Sequence, residues 1–266
     1  MNAVIFRPEQ IQVFDPNTLA RGELCFHSLE LGFIDEYPMR ARGVPAIKIA
    51  LGNGEVKHVR DVFNTLHSEV QVKDHLSTLS VIKATEIVGV DSDPLDQPNL
   101  MELLKTLDTA RYTTFLHVNG KKDIRYYTSL RNCSLVVRFS DLATDQENSN
   151  YYQLLTSMRA IDTAIFEVPT KEAYQSVLRT LVNLRMAGQI IIKVSDEALF
   201  EELQTSLYKE TIFVKLFPTD PLRVHLVLDN NIIQNGREES IQESSSSSLI
   251  TVQERTVKEG HGSEGV

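Results

Sequence analysis

From Ile47 to Phe217 the chain alternates short apolar runs with segments whose apolar residues recur at helical spacing. The runs Ile47–Leu51, Glu86–Val90, Thr113–Val118, Ser134–Phe139, Ala164–Val168, Gln189–Val194 and Thr211–Phe217 are rich in β-branched residues and predict strands. Leu100, Leu103, Leu104 and Leu107 share one helical face, which predicts an amphipathic helix over Asn99–Leu107 after Asp96-Gln97-Pro98. Ala173, Val177, Leu178, Leu181, Val182 and Leu184 predict a second helix over Lys171–Met186, with Gly188 as its stop. A third is predicted over Asp196–Tyr208, capped by Ser195. Strands that are nearly continuous apolar runs, alternating with helices, belong to parallel sheets covered on both faces. The expected fold class is therefore α/β, with enough parallel strands for a partial (β/α) barrel.

The ends read differently. Ala3–Phe6 and Ile11–Phe14 predict an N-terminal strand or hairpin, and Arg223–Leu228, where Val224, Leu226 and Leu228 alternate with Arg223 and His225, predicts an edge strand or an appended hairpin. After Gly236 the sequence turns to serine, glycine and charge, with a serine run at Ser244–Ser248. This predicts a domain over residues 1–235 and a disordered Ser/Gly/Glu-rich tail over 236–266. Within the tail, Leu249–Val252 is a short segment able to dock on the body or on a partner.

Composition narrows the partners. A formal charge of -9 over 266 residues opposes broad binding to nucleic acid or anionic membrane, both of which need a positive surface. No stretch approaches the roughly 18–20 apolar residues of a membrane span, and Met1 to Arg7 lacks the pattern of a signal peptide, so a cytoplasmic location is expected. The two cysteines, Cys25 and Cys133, have apolar neighbours and read as buried, reduced thiols.

The stretch Gly43-Val44-Pro45-Ala46-Ile47-Lys48-Ile49-Ala50-Leu51-Gly52-Asn53-Gly54-Glu55-Val56-Lys57-His58-Val59-Arg60-Asp61 resembles the first strand and cluster loop of the radical S-adenosylmethionine (SAM) enzyme 7-carboxy-7-deazaguanine synthase. Asn53, Lys57 and Arg60 stand where that family has three cluster cysteines, and Val62 where it has a threonine near its magnesium ion. A [4Fe–4S] cluster needs thiolates, so the resemblance implies the fold while the residue types imply no iron–sulfur cluster and no metal. The resemblance extends from Phe26 to Pro221. Ser28-Leu29-Glu30-Leu31-Gly32-Phe33 takes the place of a glycine-containing turn, and Asp91-Ser92-Asp93-Pro94 that of the Gly-Gly-Glu-Pro motif that contacts the amino group of SAM. His117-Val118-Asn119-Gly120 takes the place of Glu-Thr-Asn-Gly, Arg138-Phe139-Ser140 lies near that of Ser-Pro-Lys, and Phe213–Pro218 resembles the last strand. By this resemblance Asp91, Ser92, Asp93, His117, Asn119 and Arg138 are candidate ligand-binding residues, no residue is assigned as catalytic, and a homodimer is expected. Asp91 and Ser92 in place of glycines imply a narrowed SAM pocket.

Other features carry two readings each. Asp91, Asp93 and Asp96 make either a hard-metal or acid–base site at a strand end, or a set of caps for the following helix. The basic and aromatic segment from His117 to Tyr127 either holds phosphates and bases or forms a solvated loop turning at Asn119-Gly120. Arg40 and Arg42, beside Tyr37 and Pro38, either grip an anion or lie on a surface loop. The seven histidines include no pair at the i, i+4 spacing of a zinc helix. No Walker loop, Gly-x-Gly-x-x-Gly fingerprint or nucleophile elbow is present.

Three functional readings follow. In the first, the chain is a catalytically silent radical-SAM-like protein that binds or regulates, with an unidentified protein partner. In the second, it is an iron-independent enzyme or sensor for a purine, pterin or SAM-like ligand that uses Asp93, His117 or Arg138. In the third, it is a structural or interaction protein on an unrelated α/β core.

Overall fold

The computed structural model describes residues 18–34, 38–66, 82–140, 149–183, 187–209 and 224–228. The expected segments Ala3–Phe6, Ile11–Phe14 and Thr211–Phe217, Phe213–Pro218 with it, lie outside these residues. So do Tyr37 and the tail over 236–266.

Eight strands form one sheet in sequence order: β1 (Glu23–Phe33), β2 (Pro45–His58), β3 (Ala84–Gly89), β4 (Thr113–Asn119), β5 (Cys133–Phe139), β6 (Thr163–Val168), β7 (Gln189–Val194) and β8 (Val224–Leu228). β1 is antiparallel to β2, and every later neighbour pair is parallel. The helices are α1 (residues 59–66), α2 (Leu100–Thr109), α3 (Ser149–Ser157), α4 (Lys171–Asn183) and α5 (Glu197–Lys209). Parallel strands laid down strictly in chain order wind in one direction, as in a (β/α) barrel, and do not reverse as in a doubly wound sheet. Among the described residues the sheet stays open between β8 and β1, so the architecture is a partial barrel with β8 as an edge strand. Parallel pairing of β8 with β7 excludes the appended hairpin.

The two faces of the sheet differ. Ile47, Ile49, Leu51, Ile87, Leu116, Leu135, Val137, Ala164, Phe166, Ile190 and Ile192 point to the helical side and join one large core. Leu100, Leu103, Leu104 and Leu107 of α2 are all buried there, each contributing about 2 kcal/mol. On the opposite, inner face, Ile34, Ala41, Ala46, Ala84 and Phe115 form one small cluster and Val136, Ile165 and Ile191 another. Arg40 fixes its segment beneath this face by donating to the Ile161 carbonyl and, at 3.2 Å, to Ser134 Oγ. Its neighbours are protein groups, so the anion-gripping reading of Arg40 gives way to a structural one.

Three expectations are corrected here. Ser28–Phe33 is no turn: Leu29 and Leu31 pack on the core while Glu30 and Gly32 are exposed, and this alternation makes the segment the second half of β1. The expected cluster loop is absent, because β2 continues through it and residues 55–58 pair with Glu23–Phe26 as a two-stranded ribbon. The cap of α5 is Asp196, whose Oδ1 accepts from the Leu199 N–H at 2.6 Å, and not Ser195.

Candidate functional site

The parallel stretches of β2 to β7 each carry one charged or imidazole side chain in an otherwise uncharged run: Lys48, Glu86, His117, Arg138, Glu167 and Lys193. Alternation along a strand sends their apolar neighbours to the helical core and these six to the inner face. The register makes the row climb around the sheet. His117 is level with Val136, Arg138 with Ile165, and Glu167 with Lys193. From His117 onward the row lies in the carboxyl-terminal half of the strands, where ligands gather in sheets and barrels of this kind.

A cleft of about 240 Å³ opens there. Val136 and Ile165 form its apolar floor, and Ser92, Asp93, His117, Asn119 and Arg138 supply its polar wall. His117 Nε2 lies 2.8 Å from Glu86 Oε1, within ion-pair range though off the line of a hydrogen bond. Arg138 Nε lies 3.4 Å from Glu167 Oε1. The His117–Glu86 pair is the more enclosed, with side chains 21% and 13% exposed, against 44% and 35% for Arg138 and Glu167.

Asp93 holds the cleft together. Its Oδ1 accepts from the Leu95 N–H at 2.7 Å and caps the 3₁₀ turn Pro94–Asp96, while Asp96 accepts from the Asp93 N–H to complete a capping box. Its Oδ2 accepts from the Asn119 N–H at 2.6 Å, tying the loop after β3 to the end of β4. Burial raises the Asp93 carboxyl above its ordinary range, against the opposing pull of these two N–H groups and of Lys122. Asp96 also pairs with Lys122. Asp93 and Asp96 cap this turn and not α2, whose N-cap Asn99 makes no side-chain capping bond, and among the described residues no group of three or more His, Cys, Asp or Glu is placed to hold a metal ion.

Asp91 takes a different role. It does not line the cleft but, at φ 58°, turns to accept from Asn53 Nδ2 at 2.9 Å. Asn53 in turn sits in a bulge where Gly52, Asn53 and Gly54 leave the ladder opposite Phe26. The bulge needs both glycines: Gly52 has φ +100°, and a Cβ on Gly54 would lie 2.1 Å from the Phe26 carbonyl oxygen.

Of the residues singled out from the sequence, the fold thus gathers Ser92, Asp93, His117, Asn119 and Arg138 at one cleft. It does not gather Asn53, Lys57 and Arg60. Lys57 pairs with Glu55 at 3.4 Å and lies over the Phe26 ring at 4.5 Å from its centroid, and Arg60 is exposed in the first turn of α1. Four residues of strand span about 13 Å, so Asn53 and Lys57 sit at opposite ends of the ribbon. The segment after Asn119 turns at residues 120–121, and Asp123 forks Arg125, with Nη2 to Oδ2 at 2.5 Å, in the manner of a solvated loop. Tyr126 is 68% exposed beside it.

The sequence reading missed Glu86, Glu167 and Lys193. The signal for them was present: Thr85-Glu86-Ile87, Phe166-Glu167-Val168 and Ile192-Lys193-Val194 each set a lone charge inside an apolar strand. It also missed the buried pair at the opposite end of β5 and β6. Asp162, fully buried, accepts from the Arg159 backbone N–H, from Arg159 Nε and Nη2, and from the Leu135 N–H. Arg159 Nη1 donates to the Thr128 and Leu130 carbonyls.

No protein-family model and no curated protein matches the sequence. Among solved structures, the crystal structure of QueE from Escherichia coli is similar at 11% sequence identity and a TM-score of 0.49, over 78% of this chain and 94% of that one.

Proposed function

We propose that this chain is a partial-barrel protein of radical SAM type that holds no iron–sulfur cluster and binds a small polar ligand in the cleft bounded by Asp93, His117, Asn119 and Arg138. One observation carries the reading. The three positions where the resembled enzymes have cysteines are an amide tied to Asp91, an ammonium packed on Phe26 and an exposed guanidinium, spread along a β-ribbon and a helical turn. Neither the donor chemistry nor the spread of these side chains in space fits a [4Fe–4S] cluster. The cleft, smaller than the roughly 300–1,000 Å³ common for drug-sized ligands, favours a small molecule over SAM. Anaerobic reconstitution with iron and sulfide tests the first half: the protein is expected to emerge colourless, and stoichiometric iron and sulfide with a stable brown chromophore would overturn it. Thermal-shift titration with SAM, a deazapurine and a pterin tests the second, since a ligand at 100 times its Kd stabilises the native state by about 2.7 kcal/mol. SAM is expected to give no shift.

A second reading, an iron-independent enzyme, is favoured by the carboxylate–imidazole contact between Glu86 and His117 at the cleft wall, because such a contact orients a general base. Turnover of a bound ligand that is lost in His117→Asn would select it over binding alone.

A further inference from the structure

We infer that the ligand of this cleft is a small anion, a carboxylate or a phosphate, and that Glu167 occupies its place on Arg138 until the ligand arrives. The inference rests on the reading of the cleft as a binding site. Among the charged groups that line it, Asp93 is spent: both of its oxygens accept backbone N–H bonds, and Lys122 offsets its charge. That leaves Arg138 and His117 as the groups facing an incoming ligand, both of them donors when charged. Glu86 Oε1 stands 2.8 Å from His117 Nε2, so the imidazole is held at the cleft wall.

Arg138 is held differently. Its contact with Glu167 is long, 3.4 Å at Nε, and half-exposed, whereas a guanidinium can offer two parallel N–H bonds to an oxyanion. An exposed pair of this kind is weak, so exchange of Glu167 for a better acceptor is inexpensive. Glu167 also has a second cation within reach of its strand position, for Lys193 is level with it on β7. The floor of Val136 and Ile165 leaves room for a short apolar body behind the anionic group and offers it no further polar partner. A compact carboxylate or phosphate ester satisfies these conditions.

The experiment is an NMR titration of the full chain with inorganic phosphate and with malonate, at ionic strength held constant with chloride, and with adenosine as an uncharged probe. Shifts of the Asn119 and Arg138 amide signals, saturating with phosphate or malonate, are expected; which of the two binds more tightly separates a phosphate from a carboxylate ligand. Arg138→Gln is expected to weaken binding at least tenfold, and Glu167→Gln to tighten it severalfold by freeing Arg138. Anion binding that is unchanged in Arg138→Gln, or weakened in Glu167→Gln, would overturn the inference. Saturating shifts with adenosine alone would overturn it while leaving a binding cleft in place, and no saturating shift with any probe would remove both.

Discussion

The Asp93 carboxylate meets the Asn119 backbone N–H at 2.6 Å, and this one contact joins the loop after β3 to the end of β4, the two segments between which the cleft opens. Asp93 is 6% exposed, so the bond has little competition from water. The same side chain caps the turn that leads into α2.

Replacing Asp93 by Ala removes both bonds. Loss of a cap costs about 1 kcal/mol, and leaving the Asn119 N–H without its partner adds about 1–3 kcal/mol. Chemical denaturation of Asp93→Ala should therefore show a loss of roughly 2–4 kcal/mol. A loss below about 0.5 kcal/mol would mean that neither bond is formed in solution.

The pH dependence of the same residue has a definite sign. Burial places the folded-state pKa of Asp93 above its unfolded value, so the folded chain binds that proton more tightly. Its contribution to stability is then full below the unfolded pKa and is lost as the pH rises through the folded one. The stability difference between wild type and Asp93→Asn should grow as the pH is lowered from 7 toward 4. Urea denaturation at several pH values measures it, and a constant or shrinking difference would contradict the assignment.

Arg159 and Asp162 give a larger effect. Asp162 is fully buried and receives four donors. Removing one partner of a buried pair leaves an uncompensated charge and costs about 3–5 kcal/mol. Asp162→Asn should lose stability on that scale, and Arg159→Met combined with Asp162→Asn should recover part of the loss, because no lone charge remains. A double variant less stable than the single one would show that the hydrogen bonds to the Thr128 and Leu130 carbonyls matter more than the charge pair.

What could be read from the sequence was set by the range of the interactions involved. Strands β4 to β7 lie within one residue of the runs that predicted them, because buried parallel strands write their own apolar pattern. α2 begins at Leu100, one residue after the predicted start, since its leucine spacing is equally local. The ribbon over residues 55–58 was illegible: Glu55, Val56, Lys57 and His58 carry no strand alternation of their own, and they are extended because Glu23–Phe26 pairs with them. Asp162 was hidden for the same reason, as its partners come from β5 and from the turn before β6. The cleft was partly legible. Asp93, His117 and Arg138 stand at ends of predicted strands, but the pairing of Arg138 with Glu167 depends on the register between β5 and β6.

The cysteines separate burial from reactivity. Burial pushes the Cys133 thiol up to about 12, so its thiolate is scarce at neutral pH. Cys25 is buried as well, with its Sγ against the Gly54 backbone N–H and carbonyl. Neither should react quickly with a thiol reagent at pH 8 in the native protein, and both should react in 6 M guanidinium. Rapid native labelling of Cys25 would mean that the ribbon opens.

The bulge at Gly52–Gly54 can be tested against a glycine on the neighbouring strand. A Cβ on Gly54 would lie 2.1 Å from the Phe26 carbonyl oxygen and 2.7 Å from His27 Cα, both backbone atoms that cannot move without breaking the pairing of β1 with β2. A Cβ on Gly32, in the other half of β1, meets nothing within 4 Å. Gly54→Ala should therefore cost about 2–4 kcal/mol, while Gly32→Ala should stay within about 0.5 kcal/mol of wild type. The same strain bears on the loops at the cleft, because the bulge carries Asn53 to Asp91 just after β3. If Gly54→Ala proves neutral, residues 52–54 do not form this bulge in solution, and the ribbon that keeps Asn53 apart from Lys57 must be redrawn.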